Sequence, residues 1–264
     1  MAITPDHLIK ALYATGLFSA DLVLTPLAGG AVNHSYKISC ADSTYFLKTF
    51  EQTHLISTSR QQAYLWQVQL AKHKIAATPV YLSENQDFQV DAFVHGPSLL
   101  GAGMSANEQV RQLAVVLARI HKVPLIAKRL DLPGDWQRYL DKIGADLEPG
   151  LKQRLGQGQQ IWRDTYQQDQ ALCHNDLARQ HVMLTRPNIV LDWEYGARGN
   201  RYFDLAACAI INKLSPAENT LLQQAYSELA SVPLSYVKQE VARQSVLVSL
   251  TNELWYRAAN LSAR

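Results

Sequence analysis

Between residues 172 and 206 the chain reads LCHNDLARQHVMLTRPNIVLDWEYGARGNRYFDLA, and no other stretch restricts the fold as tightly. Apolar runs at 182–184 and 189–191 flank Thr185-Arg186-Pro187-Asn188, where proline and asparagine favour a chain reversal. The pattern predicts a tight β-hairpin. Carboxylates border it on both sides, with Asp176 before the first strand and Asp192 and Glu194 at the end of the second. Closing the hairpin brings Asp176 near Asp192, and two carboxylates drawn together need a cation or a proton between them.

Metal-assisted phosphoryl transfer suits such a pair. One aspartate accepts the proton of a substrate hydroxyl, and the other holds a magnesium ion that bridges nucleotide phosphates. An isolated His-x-Asp would carry little weight, because aspartate is common in turns. The ordered string His174-Asn175-Asp176, hairpin, Leu191-Asp192-Trp193-Glu194-Tyr195, then Phe203-Asp204-Leu205 is far more specific.

That string resembles the catalytic loop and metal-binding segment of the aminoglycoside phosphotransferase and choline kinase superfamily, above all its bacterial choline kinase and thiamine kinase branches. Their pattern is H-[GN]-D-x-x-x-x-N, a hairpin, then [IL]-D-[FW]-E-Y. The resemblance runs over roughly residues 24–214. It implies an α+β, two-lobed protein-kinase-like fold. A small sheet-rich N-lobe at 1–96 would cover the nucleotide, and a larger helical C-lobe at 97–264 would carry catalysis and substrate binding. It further implies Asp176 as catalytic base, Asp192 as metal ligand, and His174 and Asp204 as structural supports. One position departs from the pattern: His181 stands where the family has asparagine. His181 then becomes a substitute second metal ligand. Magnesium prefers oxygen and imidazole suits manganese better, so the cofactors expected are ATP with magnesium, or manganese in its place.

The N-terminal third fits the same resemblance. Thr4-Pro5 opens a helix, and strands at 22–27, 35–39 and 44–50 form a meander. The segment GGAVNHSYKI resembles the family's nucleotide-covering hairpin, which makes Gly29, Gly30 and Asn33 nucleotide contacts. Lys48, one strand on, stands where the superfamily keeps a phosphate-contacting lysine. A helix is expected at 59–74, but no acidic residue occurs between 52 and 83; Gln61 or Gln62 stands about where a lysine-pairing glutamate belongs. Strands at 78–82 and 88–94 lead to a hinge-like stretch ending near Gly96. Beyond it, Ser105-x-x-Glu108 and Ser215-x-x-Glu218 are capping boxes, and helices are also expected at 135–142, 151–170 and 235–260. His121 reads as a hydrogen-bonded structural histidine. Arg179, within the loop, offers a cation for the γ-phosphate.

Beyond residue 211 the acids and bases balance, which disfavours a polycationic aminoglycoside as acceptor. A single cation needs one or two acids and an aromatic cage. Glu194, Trp193, Tyr195, Tyr202 and Trp255 supply those groups, so the acceptor class is a small cationic alcohol such as choline, ethanolamine or thiamine. Four alternatives use the same residues: a kinase-like chain that no longer transfers phosphate, a non-catalytic binding module, an aminoglycoside-type phosphotransferase, and a hydrolase with a transition metal on His174, Asp176, His181 and Asp192.

Composition adds exclusions. A net charge of +2 without a lysine/arginine run argues against a nucleic-acid partner. Three widely spaced cysteines suggest reduced thiols and a cytoplasmic protein. Neither a signal-peptide pattern nor a membrane-length apolar run is found, so no membrane partner is expected.

Overall fold

The Thr4 side chain accepts the His7 amide hydrogen and Pro5 fills the first turn, so the first helix, α1 (Pro5–Ala14), starts where the sequence marks it. The structure is a computed structural model that describes residues 4–19, 21–27, 34–41, 43–50, 59–124, 127–144 and 147–259. Gly29, Gly30 and Asn33 lie outside the described residues. The chain divides into two compact units between Gly96 and Pro97.

In the first unit, β1 (Val23–Leu27), β2 (Ser35–Cys40), β3 (Ser43–Thr49), β4 (Pro79–Leu82) and β5 (Phe88–Ala92) form one sheet in the order β1-β2-β3-β5-β4. Every pairing is antiparallel. Alternation along β2 buries Tyr36, Ile38 and Cys40 on one face. Leu47, Phe88 and Val90 join them there, and Leu8 and Leu12 of α1 complete the cluster. The opposite face carries Lys48 directly across from Gln89 in the β3–β5 register. Helix α2 (Arg60–Lys72) meets that face through Gln67, whose amide oxygen accepts from Gln89 Nε2 at 2.8 Å.

The second unit is helical. It comprises α3 (Ala106–Ile120), α4 (Leu132–Ile143), α5 (Pro149–Thr165), α6 (Arg201–Ile211), α7 (Pro216–Ala230) and α8 (Leu234–Ala258). Both capping boxes form as read, at Ser105/Glu108 and Ser215/Glu218. The stretch expected at 235–260 is one unbroken helix; α4, α5 and α6 all pack on it. Two short ladders sit among the helices: β6 (Gln170–Cys173) with β9 (Ala197–Asn200), and the hairpin β7 (Val182–Met183) with β8 (Ile189–Val190). The helix expected at 151–170 ends at Thr165 because Gln170 already belongs to β6. Among the described residues no helix is long and apolar enough to cross a membrane.

Gly158 lets α5 approach its neighbours closely. A Cβ there would stand 2.6 Å from Leu250 Cδ2 and 3.1 Å from the Trp136 ring. Alanine in a helix normally gains about 1 kcal/mol over glycine. Overpacking here reverses the sign, and Gly158→Ala is expected to cost about 1–3 kcal/mol, measured as a lower urea midpoint at unchanged m-value.

Candidate active site

The loop at 174–176 is shaped by one buried carboxylate. Asp204, in the first turn of α6, has no exposed surface. Its Oδ2 accepts the His174 backbone N–H and its Oδ1 the Asn175 N–H, both at 2.8 Å. His121 Nε2 donates to Oδ2 at 3.1 Å, and its Nδ1 lies 2.7 Å from the Tyr226 hydroxyl. Burial alone would raise the carboxyl's pKa; the His121 hydrogen bond, the charge interactions with His121 and His174 and the backbone donor outweigh it, so Asp204 ionises below the ordinary range. With its amide held, Asn175 adopts a left-handed conformation (φ 64°), and its side chain donates to the Tyr195 carbonyl at 2.9 Å.

His174 joins the loop to the far end of the hairpin. Its Nε2 lies 2.9 Å from the Leu191 carbonyl, which only accepts, so Nε2 carries the hydrogen. Nδ1 then accepts the Asp176 N–H at 3.3 Å. The ring is neutral: burial first, then His181, lowers its pKa to about 4. Trp193 covers it at 4.8 Å between centroids and donates its indole N–H to the Val190 carbonyl. Asp192 is left-handed too (φ 65°).

The three residues singled out for base and metal converge. Asp176, His181 and Asp192 each offer one donor atom, and all three atoms lie within 4.8 Å of one another. His181 Nδ1 sits 2.9 Å from the Asp176 carbonyl and Nε2 is 3.7 Å from Asp192 Oδ2. An imidazole nitrogen and two carboxylates are a donor set that fits a divalent cation.

Other candidates stand elsewhere. Tyr202 is completely buried, its ring edge-on to Tyr226 and Tyr236, so it belongs to the core and offers no surface to a ligand. Trp193 is likewise buried, a brace on His174 and not a cage wall. Glu194, Tyr195 and Trp255 remain partly exposed. Burial, then Glu194, Tyr139 and Asp176, drives the Tyr195 phenol well above its ordinary range, against a hydrogen bond from Trp255. Arg179 is engaged on α6 and α7: Nη1 donates to the Asn212 carbonyl at 3.1 Å and Nη2 lies 3.6 Å from the Glu218 carboxylate. Asn212, absent from the sequence reading, holds this loop by accepting the Arg179 N–H and donating to the Leu177 carbonyl, each at 2.8 Å. Its only signal is a polar residue closing the apolar run 205–211.

In the first unit, Lys48 lies partly buried on β3 with its Nζ 6.0 Å from the Phe50 ring centroid. Gln61 and Gln62 belong to the exposed first turn of α2 and not to its sheet-facing side. Gln67 reaches Gln89 on the sheet, and Gln89 also donates to Asp91 at 2.7 Å.

The sequence model of the Phosphotransferase enzyme family matches residues 23–235. The chain belongs to that family. The fold is the kinase-like one of solved relatives. A choline kinase from Streptococcus pneumoniae is similar with a TM-score of 0.75 and 17% identity, over 97% of this chain and 90% of that one. A choline/ethanolamine kinase family protein from Mesorhizobium loti gives 0.73 and 16%, over 98% and 87%. A macrolide 2'-phosphotransferase from Brachybacterium faecium gives 0.65 and 19%, over 97% and 94%. The chain matches no curated protein in sequence.

Two outcomes follow for this phosphotransferase-family site. Asp204→Asn is expected to cost about 3 kcal/mol at pH 7, because three donors lose a buried carboxylate. The folded pKa of Asp204 is depressed, so its contribution is full above the unfolded value and lost as pH falls through the folded one. Urea unfolding should therefore show the wild-type advantage constant above about pH 5 and shrinking below about pH 4. Arg179→Ala should lower stability by about 1 kcal/mol yet leave nucleotide affinity, read by calorimetry, unchanged.

Proposed function

We propose that the protein transfers the γ-phosphoryl group of ATP to the hydroxyl of a small cationic alcohol of the choline, ethanolamine or thiamine class. The observation that carries this reading is the convergence of Asp176, His181 and Asp192 within 4.8 Å, in a chain of the phosphotransferase family. Asp176 accepts the proton as the hydroxyl oxygen bonds to phosphorus and the bond to the ADP oxygen breaks. Asp192 and His181 would hold the divalent cation, magnesium or manganese, which neutralises phosphate charge. Lys48 would contact the phosphates, and Gly29, Gly30 and Asn33 are assigned to the covering hairpin. Glu194, with Tyr195 and Trp255, would meet the acceptor's cation through a carboxylate and aromatic faces. Trp193 and Tyr202 are withdrawn from that set by their burial. The solved neighbours named for choline and for choline and ethanolamine agree with this acceptor class.

A second reading, retained ligand binding without transfer, is favoured by His181 itself, where the family pattern has asparagine. Thermal denaturation separates the two when ATP is added with magnesium or manganese, with and without each alcohol. A ligand at about 100 times its Kd adds roughly 2.7 kcal/mol. Under the proposal nucleotide with metal raises Tm, and one alcohol raises it further. Asp176→Asn should then lower kcat by about 10²–10⁴-fold while nucleotide affinity holds. If that variant turns over at the wild-type rate, Asp176 is not the base. If nucleotide binds but wild type forms no ADP with any alcohol, the second reading stands.

A further inference from the structure

We propose that Asp176, His181 and Asp192 form a chelating site that takes a first-row transition-metal dication directly, without nucleotide, and prefers it to magnesium. The inference deepens the phosphotransfer reading and rests on it for the placement of a cation. What it adds is the chemical class of the ion and its independence from phosphate ligands.

The tautomer of His181 is the first argument. Its Nδ1 faces the Asp176 carbonyl at 2.9 Å, and a carbonyl cannot donate. Nδ1 therefore carries the hydrogen, which leaves Nε2 as the nitrogen that can bind a metal ion. An imidazole whose second nitrogen is anchored to a carbonyl is oriented and made more basic as a metal ligand. The second argument is what Nε2 faces. Asp192 Oδ2 stands 3.7 Å away, beyond a hydrogen bond, a gap that one cation bound to both atoms would bridge. Two donors bound to one ion at about 2.1 Å each stand roughly 3.0–3.4 Å apart, so a shift of a few tenths of an ångström closes the site. The Asp176 carboxylate supplies the third donor from the other side of the loop.

Selectivity follows from the donor types. Magnesium demands oxygen, holds its water and is seldom caged by protein alone. A nitrogen and two carboxylate oxygens suit manganese, cobalt and zinc, with affinity rising along the first-row series. The side chains of His181 and Asp192 are 14% and 29% exposed, sheltered enough to hold an ion and open enough to admit one.

The test is calorimetric titration of the tag-free full chain, without nucleotide, by Co²⁺ and by Mg²⁺, together with the visible absorption of bound Co²⁺. Wild type is expected to bind one Co²⁺ at least about tenfold more tightly than Mg²⁺. His181→Asn, which returns an oxygen donor, should weaken Co²⁺ by about tenfold or more and shift its absorption, while Mg²⁺ changes by less than about threefold. The Tm of the metal-free variant reports its folding, and the wild-type ratio of Co²⁺ to Mg²⁺ decides the question if the variant does not fold. Absence of Co²⁺ binding at millimolar concentration, equal wild-type affinities for the two ions, or a Co²⁺ affinity unaffected by His181→Asn overturns the inference. A parallel titration with ATP and magnesium keeps the readings distinct. Nucleotide binding without Co²⁺ binding removes only this inference, and Co²⁺ binding without nucleotide binding removes only the phosphotransfer reading.

Discussion

Asp204 brings a carboxylate into the interior of the helical unit with no exposed surface, and three donors converge on it. Two of these are consecutive backbone amides, groups that would be costly to leave unpaired at this depth. Its place in the first turn of α6 adds the favourable end of a helix dipole. With both amides fixed, the loop has little freedom left, and Asn175 takes a left-handed turn that sends Asp176 back toward the hairpin. The geometry of the candidate base therefore depends on a residue 28 positions later in the chain.

Three histidines then perform three different tasks, and their environments decide which. His121 donates to a full charge and is held by Tyr226. His174 is enclosed, and burial with His181 alongside keeps it neutral, so it can donate to Leu191 and accept from Asp176 at once. A charged ring there would have two donors and a backbone N–H pointed at one of them. His181 is anchored through one nitrogen only, and its other nitrogen opens toward Asp192.

Local chemistry was legible in the sequence and remote pairing was not. Ser105/Glu108 and Ser215/Glu218 announce helix starts because both partners of each box lie within four residues. The 182–191 hairpin was readable for the same reason. The β6–β9 ladder was missed: four-residue strands are too short to show a period, and Gln170 finds its partner at Asn200. That ladder sets the start of α6 and hence the position of Asp204. Aromatic residues near the motif were likewise read as ligand contacts, although Tyr202 and Trp193 pack inward. Aromaticity marks surface suited to burial, and only the fold says whether a ligand or the core covers it.

The lysine-bearing sheet carries a carboxylate on its Lys48 face although the helix packed there supplies none. No acid lies on α2, and the glutamine that reaches Gln89 is Gln67, not Gln61 or Gln62. Gln67 engages Gln89, directly opposite Lys48 in the ladder, and Gln89 in turn donates to Asp91. Residues two apart on a strand share a face, so Asp91 lies on the Lys48 face of β5, on the diagonal where Cβ atoms are about 7–8 Å apart. A negative charge is thus kept on this face, but it comes from a strand and is linked to the helix through two amides.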